Sequence, residues 1–361
     1  MAEDPDEIAR ERRAIDTIDE SILELLNRRA AAALRIGQLK ERSRGPVLVP
    51  GRELDIFERL EARNSGPFPA EGVRNVFREI ISVSYALEKG MKVAYFGPAA
   101  TYTHQAAIQQ FGRMVELEPM PTIADIFEAV EAERAAYGVV PVENSTEGVV
   151  SHTLDLFVDS PLTITAEIQV AIHHDLLSRV SDLHEVRAVY SHPQALAQCR
   201  EWLSLNLPGV SQYSTASTAA AAERVTREEG AAAIASPVAA EIYGLRAIRR
   251  GIEDRASNTT RFLVISTTPP DATERDITSL LFSIKRDQIG ALYHALEPFA
   301  SHGVNLTRIE SRPTKARAWE YLFFCDFEGN ARDPEVAAAI AELEPRCDFV
   351  KVLGSYPRAA P

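Results

Sequence analysis

Asn258-Thr259-Thr260-Arg261-Phe262-Leu263-Val264-Ile265 sets an amide, two hydroxyls and a guanidinium directly before an apolar run. The run Phe262–Ile265 reads as a buried strand. Polar residues at the mouth of such a strand are where α/β proteins commonly hold ligands. A threonine hydroxyl can donate a hydrogen bond or a proton, and an arginine can clamp a carboxylate with two parallel bonds. This cassette therefore predicts an α/β region with a cleft at residue 260.

The sequence upstream agrees. Val93-Ala94-Tyr95-Phe96 is a short strand closed by Gly97-Pro98, and Gly138–Val142 is a strand leading into Glu143-Asn144-Ser145-Thr146-Glu147-Gly148. Residues 162–164 and 168–172 are β-like. Val186–Tyr190 ends at Ser191-His192-Pro193-Gln194, before a helix carrying Gln198. An alanine-rich helix at 218–229 precedes a strand at 231–235. Strand ends repeatedly deliver polar loops, which implies an open α/β fold around a cleft.

Downstream, Thr267-Thr268-Pro269-Pro270-Asp271 reads as a linker. Beyond it lie strand 277–285, a helix opening at Gly290, strands 305–311 and 320–327, helix 334–343 and strand 349–354. This β-α-β-β-α-β order is a small ferredoxin-like unit.

The first 90 residues follow another period. From 8 to about 42, Ile15, Ile18, Ile22, Leu25, Ala32, Ile36 and Leu39 recur in steps of three and four, as on one long helix. Arg29 falls on this apolar stripe, where it needs an anion. Lys40 lies about 16 Å along the helix and about 20° round it, so both could lean towards one small dianion. Arg12 is about 25 Å from Arg29 and about 100° round, and suits the same site only from an antiparallel partner chain. Helices are also expected from Pro50, bearing Arg52 and Glu53, and from Ala70 to Glu88, bearing Ser84. Three helices of such unequal length close a core only by pairing with a second copy.

Composition bounds the function. The 361 residues suffice for two or three domains. Residues 1–90 hold 15 Lys and Arg against 17 Asp and Glu, a net of −2, which leaves −11 of the chain's −13 to the rest. Such acidity disfavours nucleic-acid binding. Three scattered cysteines give neither a disulfide framework nor a zinc spacing, and His173-His174 lacks the i, i+4 spacing of a helical metal site, so no metal is expected. The acidic start MAEDPDEIAR is unlike a signal peptide, and no apolar run approaches a membrane span, so a cytoplasmic protein is expected.

In order and motifs the chain resembles the bifunctional chorismate mutase–prephenate dehydratase family over nearly its whole length. The matching motifs are Val93–Pro98 with His104-Gln105-Ala106-Ala107, Pro141–Ser145, Ser191–Gln194 and Thr260-Arg261-Phe262. The C-terminal unit resembles an ACT domain, with Gly290-Ala291-Leu292 and Glu310-Ser311-Arg312-Pro313. The resemblance implies three modules: an all-helical mutase (1–90), a two-lobed α/β dehydratase like periplasmic binding proteins (91–268) and a regulatory ACT domain (276–355).

It also implies site residues. In the mutase, Arg12 and Arg29 would hold two carboxylates, Lys40 and Glu88 would donate to an ether oxygen, Arg52 and Glu53 would orient the substrate, and Ser84 would line the site. In the dehydratase, Thr260 would be the acid and Arg261 the carboxylate clamp, with Asn144, Ser145, Ser191 and Gln198 positioning the substrate. Gly290, Ala291, Leu292, Glu310, Ser311 and Arg312 would bind phenylalanine. The implied ligands are chorismate, prephenate and phenylalanine, with no cofactor. The implied assembly is a homodimer, or a tetramer if the helical and ACT units use different axes. Val49 and Glu88 depart from the commoner family pattern, which leaves an impaired mutase open. An arogenate-using dehydratase and a non-catalytic amino-acid sensor are compatible with the same motifs.

Overall fold

A computed structural model describes residues 5–43, 50–87, 91–285, 288–313 and 321–359. The chain divides into two units: most of the N-terminal helices together with Phe111–Glu116, and the remainder.

The helical unit is built on α1 (Pro5–Ser43), α2 (Pro50–Arg63) and α3 (Ala70–Leu87). All three match the helices expected from the sequence to within a few residues. Phe57 of α2 and Val73, Ile81 and Tyr85 of α3 are buried, and Arg74 of α3 bonds Glu61 of α2 at 2.7 and 3.0 Å. The stripe on α1 finds no such cover: Ile15, Ile18, Ile22 and Leu25 are 56%, 57%, 48% and 58% exposed.

In the second unit β1 (Lys92–Phe96), β2 (Glu116–Met120), β3 (Tyr137–Asn144), β4 (Gly148–Val149) and β5 (Thr163–Ala171) start one lobe. The chain then leaves to build β6 (Asp175–Ser178), β7 (Ala188–Ser191), β8 (Ser211–Ser214), β9 (Ala231–Ala235) and β10 (Arg246–Arg249). It returns with β11 (Thr259–Ser266). The first sheet runs β2-β1-β3-β11-β5, with β4 on β3, and the second β10-β6-β9-β7-β8. Two chain crossings therefore join the lobes. They are bonded to each other by Ile172 N–Asn258 O and Ile252 N–His174 O, both 2.8 Å.

Here the structure differs from the sequence reading. β11 begins at Thr259, not Phe262, because it lies between two antiparallel neighbours that satisfy its backbone from the first residue. Thr260 pairs with Asn144 and Arg261 with Glu143 across to β3. Inside a strand successive side chains alternate faces, so Thr260 and Arg261 point to opposite sides.

The third sheet comprises β12 (Asp276–Ile284), β13 (Leu306–Pro313), β14 (Tyr321–Glu328) and β15 (Cys347–Pro357), in the order β13-β14-β12-β15. Helices 291–301 and 334–343 cover one face, enclosing Leu280, Phe282, Phe299, Phe327 and Leu343. This is the expected β-α-β-β-α-β unit. Its other face lies on the first lobe: Ile277, Leu281, Phe324, Leu353 and Tyr356 share one core with Ile126, Val140, Leu263 and Ile265. The 267–271 segment thus joins modules that are already packed together. At Gly354 a Cβ would fall 2.3 Å from the Ile164 carbonyl oxygen, so only glycine permits this approach of β15 to β5.

Candidate active sites

A cleft of about 640 Å³ opens between the two lobes. Its lining includes Tyr102, Asn144, His174, Gln198, Asn258 and Thr260, with Phe96, Pro141, Ile172 and Phe262 as apolar walls. Among the described residues that line it there is no Lys or Arg. The starts of helices 102–111, 151–159 and 218–225 (Tyr102-Thr103, Val149-Val150 and Ser217-Thr218) border it instead. Helix N-termini present unpaired N–H groups and positive dipole ends, so the cleft suits an anion without a cationic side chain.

Hydrogen bonds fix the polar floor. Asn144 Oδ1 accepts from the backbone N–H of Thr146 (3.0 Å) and Glu147 (3.1 Å) and from the Thr146 hydroxyl (2.9 Å). That settles which amide atom is oxygen. Asn144 Nδ2 then donates to Asn258 Oδ1 (2.8 Å) and to Thr260 Oγ1 (2.7 Å). Thr260 accepts this bond, so its own proton is free for an acceptor in the cleft. Asn258 Nδ2 donates onward to Gln198 Oε1 (3.4 Å), which also faces His174 Nε2 at 2.7 Å. With Oε1 engaged twice, the Gln198 amide N–H groups are left for the cleft.

The far end of the chain of bonds is held by Tyr102, whose hydroxyl lies 2.8 Å from both the His173 carbonyl and His174 Nδ1 and shares its proton between these two acceptors. Burial lowers the His174 pKa and raises that of Tyr102 well above the phenol range. Both are neutral, and His174 carries its proton on Nε2, towards Gln198.

Of the residues expected at the dehydratase site, Thr260, Asn144 and Gln198 line the cleft. Three others lie elsewhere. Ser191 is wholly buried and its hydroxyl donates to the Ile234 carbonyl at 2.6 Å, within the second sheet. Ser145 accepts from Thr259 N (3.0 Å) and bonds Ser257 O (3.3 Å), joining β3 to β11. Arg261, on the face away from Thr260, bonds Glu167 (2.8 Å), Asp326 (2.6 Å) and the Tyr356 hydroxyl (2.9 Å). Three cleft residues go beyond the sequence expectation: Asn258, His174 and Tyr102. Asn258 stands in the opening cassette, and the spacing of His174 speaks only to metal binding. No sequence signal marks Tyr102.

In the helical unit Arg29 donates to the Ser84 hydroxyl (2.6 Å) and the Ile80 carbonyl (3.3 Å). It therefore has donors to spare and no carboxylate partner among its described contacts. Glu53 is 7% exposed and accepts from the Tyr85 hydroxyl. Burial, against that bond and nearby Arg78, pushes its pKa up to about 7. Arg12 and Arg52 are exposed. Glu88 and the Lys40 side chain lie outside the described residues.

Because the Glu53 pKa is raised on folding, its favourable contribution is complete below about pH 4.5 and is lost as pH rises through about 7. Urea unfolding of the chain should show the helical unit weakening across pH 5–8 by up to about 3 kcal/mol. Glu53→Gln should remove that slope; a variant with the wild-type pH dependence would contradict the assignment.

In the third sheet Gly290 sits at φ 71 before helix 291–301, a conformation that suits glycine. Ser311 is exposed on β13. Glu310 and Arg312 point the other way, on the strand face shared with Arg308, and Arg312 pairs with Asp155 of the first lobe at 3.3 Å. The six expected phenylalanine contacts are thus divided between two faces of the sheet within one chain.

A helical unit with an uncompensated arginine, a two-lobed cleft with a hydroxyl donor and a ferredoxin-like sheet fit a multidomain enzyme of small-molecule substrates. Three families match it: chorismate mutase type II at residues 11–89, prephenate dehydratase at 93–270 and the ACT domain at 278–345. A bifunctional chorismate mutase/prephenate dehydratase of Aquifex aeolicus is 50% identical, covering 98% of this chain and 99% of its own length. The crystal structure of a prephenate dehydratase from Arthrobacter aurescens in complex with L-Phe is 35% identical, with TM-score 0.69, over 74% of this chain and 90% of that one. A structure described as GqqA, a novel type of quorum quenching acylase, is 33% identical, with TM-score 0.68, over 74% of this chain and 98% of that one. The chain belongs to the bifunctional chorismate mutase/prephenate dehydratase family.

Proposed function

We propose that the chain rearranges chorismate to prephenate in its helical unit and converts prephenate to phenylpyruvate in the two-lobed cleft, under control by phenylalanine. The modules would be residues 1–90, 91–268 and 276–355. The single observation that carries the dehydratase reading is Thr260 Oγ1 accepting from Asn144 Nδ2, which aims the threonine proton into the cleft.

The dehydratase step breaks the bond between the ring and its carboxylate. The released electron pair enters the ring, which becomes aromatic as the ring hydroxyl departs. Thr260 donates a proton to that hydroxyl, so water and carbon dioxide leave together. Gln198 and the helix N-termini receive the carboxylates, since no cationic side chain lines the cleft among the described residues. An acyl-transfer reading, open through the acylase relative, finds no support at Thr260. Its oxygen bonds an amide, and no imidazole or carboxylate is hydrogen-bonded to it among the described residues.

The mutase step needs no nucleophile. Arg29 holds a carboxylate of the reactive conformer, Ser84 and Glu53 shape the site, and Arg52, Lys40 and Glu88 keep the roles the family resemblance gives them. The exposed stripe on α1 supports a second copy packed along it, bringing that copy's Arg12 to Arg29. The edge position of β13 supports a second contact between copies, where phenylalanine would meet Gly290, Ala291, Leu292 and Ser311. Two such contacts on different axes make a tetramer. Three free, buried cysteines fit the reducing cytoplasm, and no helix among the described residues is long and apolar enough to cross a membrane.

The test is to supply purified protein with chorismate, prephenate or arogenate, with and without phenylalanine. Chorismate should yield prephenate and then phenylpyruvate, and phenylalanine should slow the second step. Faster turnover of arogenate than of prephenate would reassign the dehydratase substrate, and no turnover of either would refute the reading.

A further inference from the structure

On the β3–β11 pair, Asn144 and Thr260 face the cleft and Glu143 and Arg261 lie directly behind them. Both rear residues are gripped by the third sheet. Arg261 bonds Asp326 of β14 at 2.6 Å, and Glu143 pairs with Arg308 of β13 at 3.1 Å. Arg308 in turn approaches Asp326 at 4.0 Å. Four charges of alternating sign, Arg261, Asp326, Arg308 and Glu143, thus form a chain closed by the backbone pairing of Glu143 with Arg261. Asp326 is further bonded to Ser279, whose hydroxyl meets the Tyr356 hydroxyl at 2.7 Å. Arg261 is 14% exposed as a side chain and Asp326 9%. At such burial the Arg261–Asp326 pair is only weakly screened by solvent, while the Arg308–Glu143 pair is more open, at 18% and 35% exposed.

We propose that Arg308 and Asp326 of the ferredoxin-like unit are positioning residues for the dehydratase reaction, acting through Glu143 and Arg261 on Asn144 and Thr260. Neither touches substrate. Each fixes the backbone of one strand where its neighbour faces the cleft, and so sets the Asn144–Thr260 bond that aims the proton. β13 carries Arg308 two residues before Glu310, so a shift of that strand moves the grip directly. The inference rests on the dehydratase reading.

Glu143→Gln and Arg308→Gln should each lower kcat for prephenate roughly tenfold to hundredfold, with KM within about twofold. The double variant should be no worse than either single one, because both break the same link. Arg308→Lys, which keeps the charge, should recover most of the loss and covers the case in which Arg308→Gln folds poorly. Unchanged kcat in the single variants, or losses that multiply in the double, would overturn the proposal. Amide hydrogen exchange gives a readout independent of turnover. Arg308→Gln should speed exchange at 140–148 and 256–263 and leave 188–191 and 231–235 unchanged. Uniform acceleration, or none, would also count against it. If wild-type protein failed to convert prephenate while exchange behaved as expected, the functional reading alone would fall.

Discussion

Thr260→Ala should lower dehydratase turnover by roughly 10²–10⁴-fold, the usual worth of a positioned proton donor. Mutase turnover, followed in the same preparation with chorismate, should stay within about twofold. Thr260→Ser keeps the hydroxyl and should retain most activity, losing only what the methyl group contributes to holding the rotamer. Direction matters here more than acidity. A free threonine hydroxyl is a poor acid, but the Asn144 amide occupies its acceptor side at 2.7 Å and leaves the proton for an acceptor in the cleft. Asn144→Ala belongs to the same unit, so Thr260→Ala in that background should cost little more. An alanine variant with near-normal prephenate turnover would remove Thr260 from the mechanism.

The second large effect is expected at Arg29. Its Nη1 meets Ser84 and Ile80, and the remaining donors await an anion. Burial lowers its pKa from the ordinary arginine value, yet the group stays charged at any physiological pH. Arg29→Ala should reduce mutase turnover by roughly 10²-fold, as when a group that holds the reactive conformer in place is lost. Dehydratase turnover should be unchanged when prephenate is supplied directly. Arg29→Lys should recover little, because an ammonium cannot bond a carboxylate and a serine in the same plane. Full mutase activity in Arg29→Ala would show that another cation holds the substrate.

Much of this architecture is legible in the sequence. The ferredoxin-like order follows from alternating runs and breakers, and α1 from its three-and-four spacing. Arg29 stands out because it interrupts an apolar stripe, and its contacts with Ser84 and Ile80 bear on the cause: a charge on a seam must be held. Which side of a strand a residue faces is harder to read. Arg261 looks like a clamp because it adjoins Thr260, but β11 starts three residues earlier than its apolar run, and strand alternation sends the guanidinium to the rear. Ser191 ends a strand near the cleft, yet its hydroxyl faces Ile234. The polar floor is illegible for a different reason. Asn144 and Asn258 are 114 residues apart, so their bond has no local signature.

The core shared by the first lobe and the third sheet has a consequence for how the enzyme answers an effector. The segment between β11 and β12 joins two faces that are packed directly on one another. Moving one against the other means repacking Leu281, Phe324 and Tyr356 against Leu263 and Ile265. Close-packed interiors do not deform by degrees; they exchange one arrangement for another. The response of the cleft to its regulator should therefore have a threshold, with the apolar interior acting as the detent.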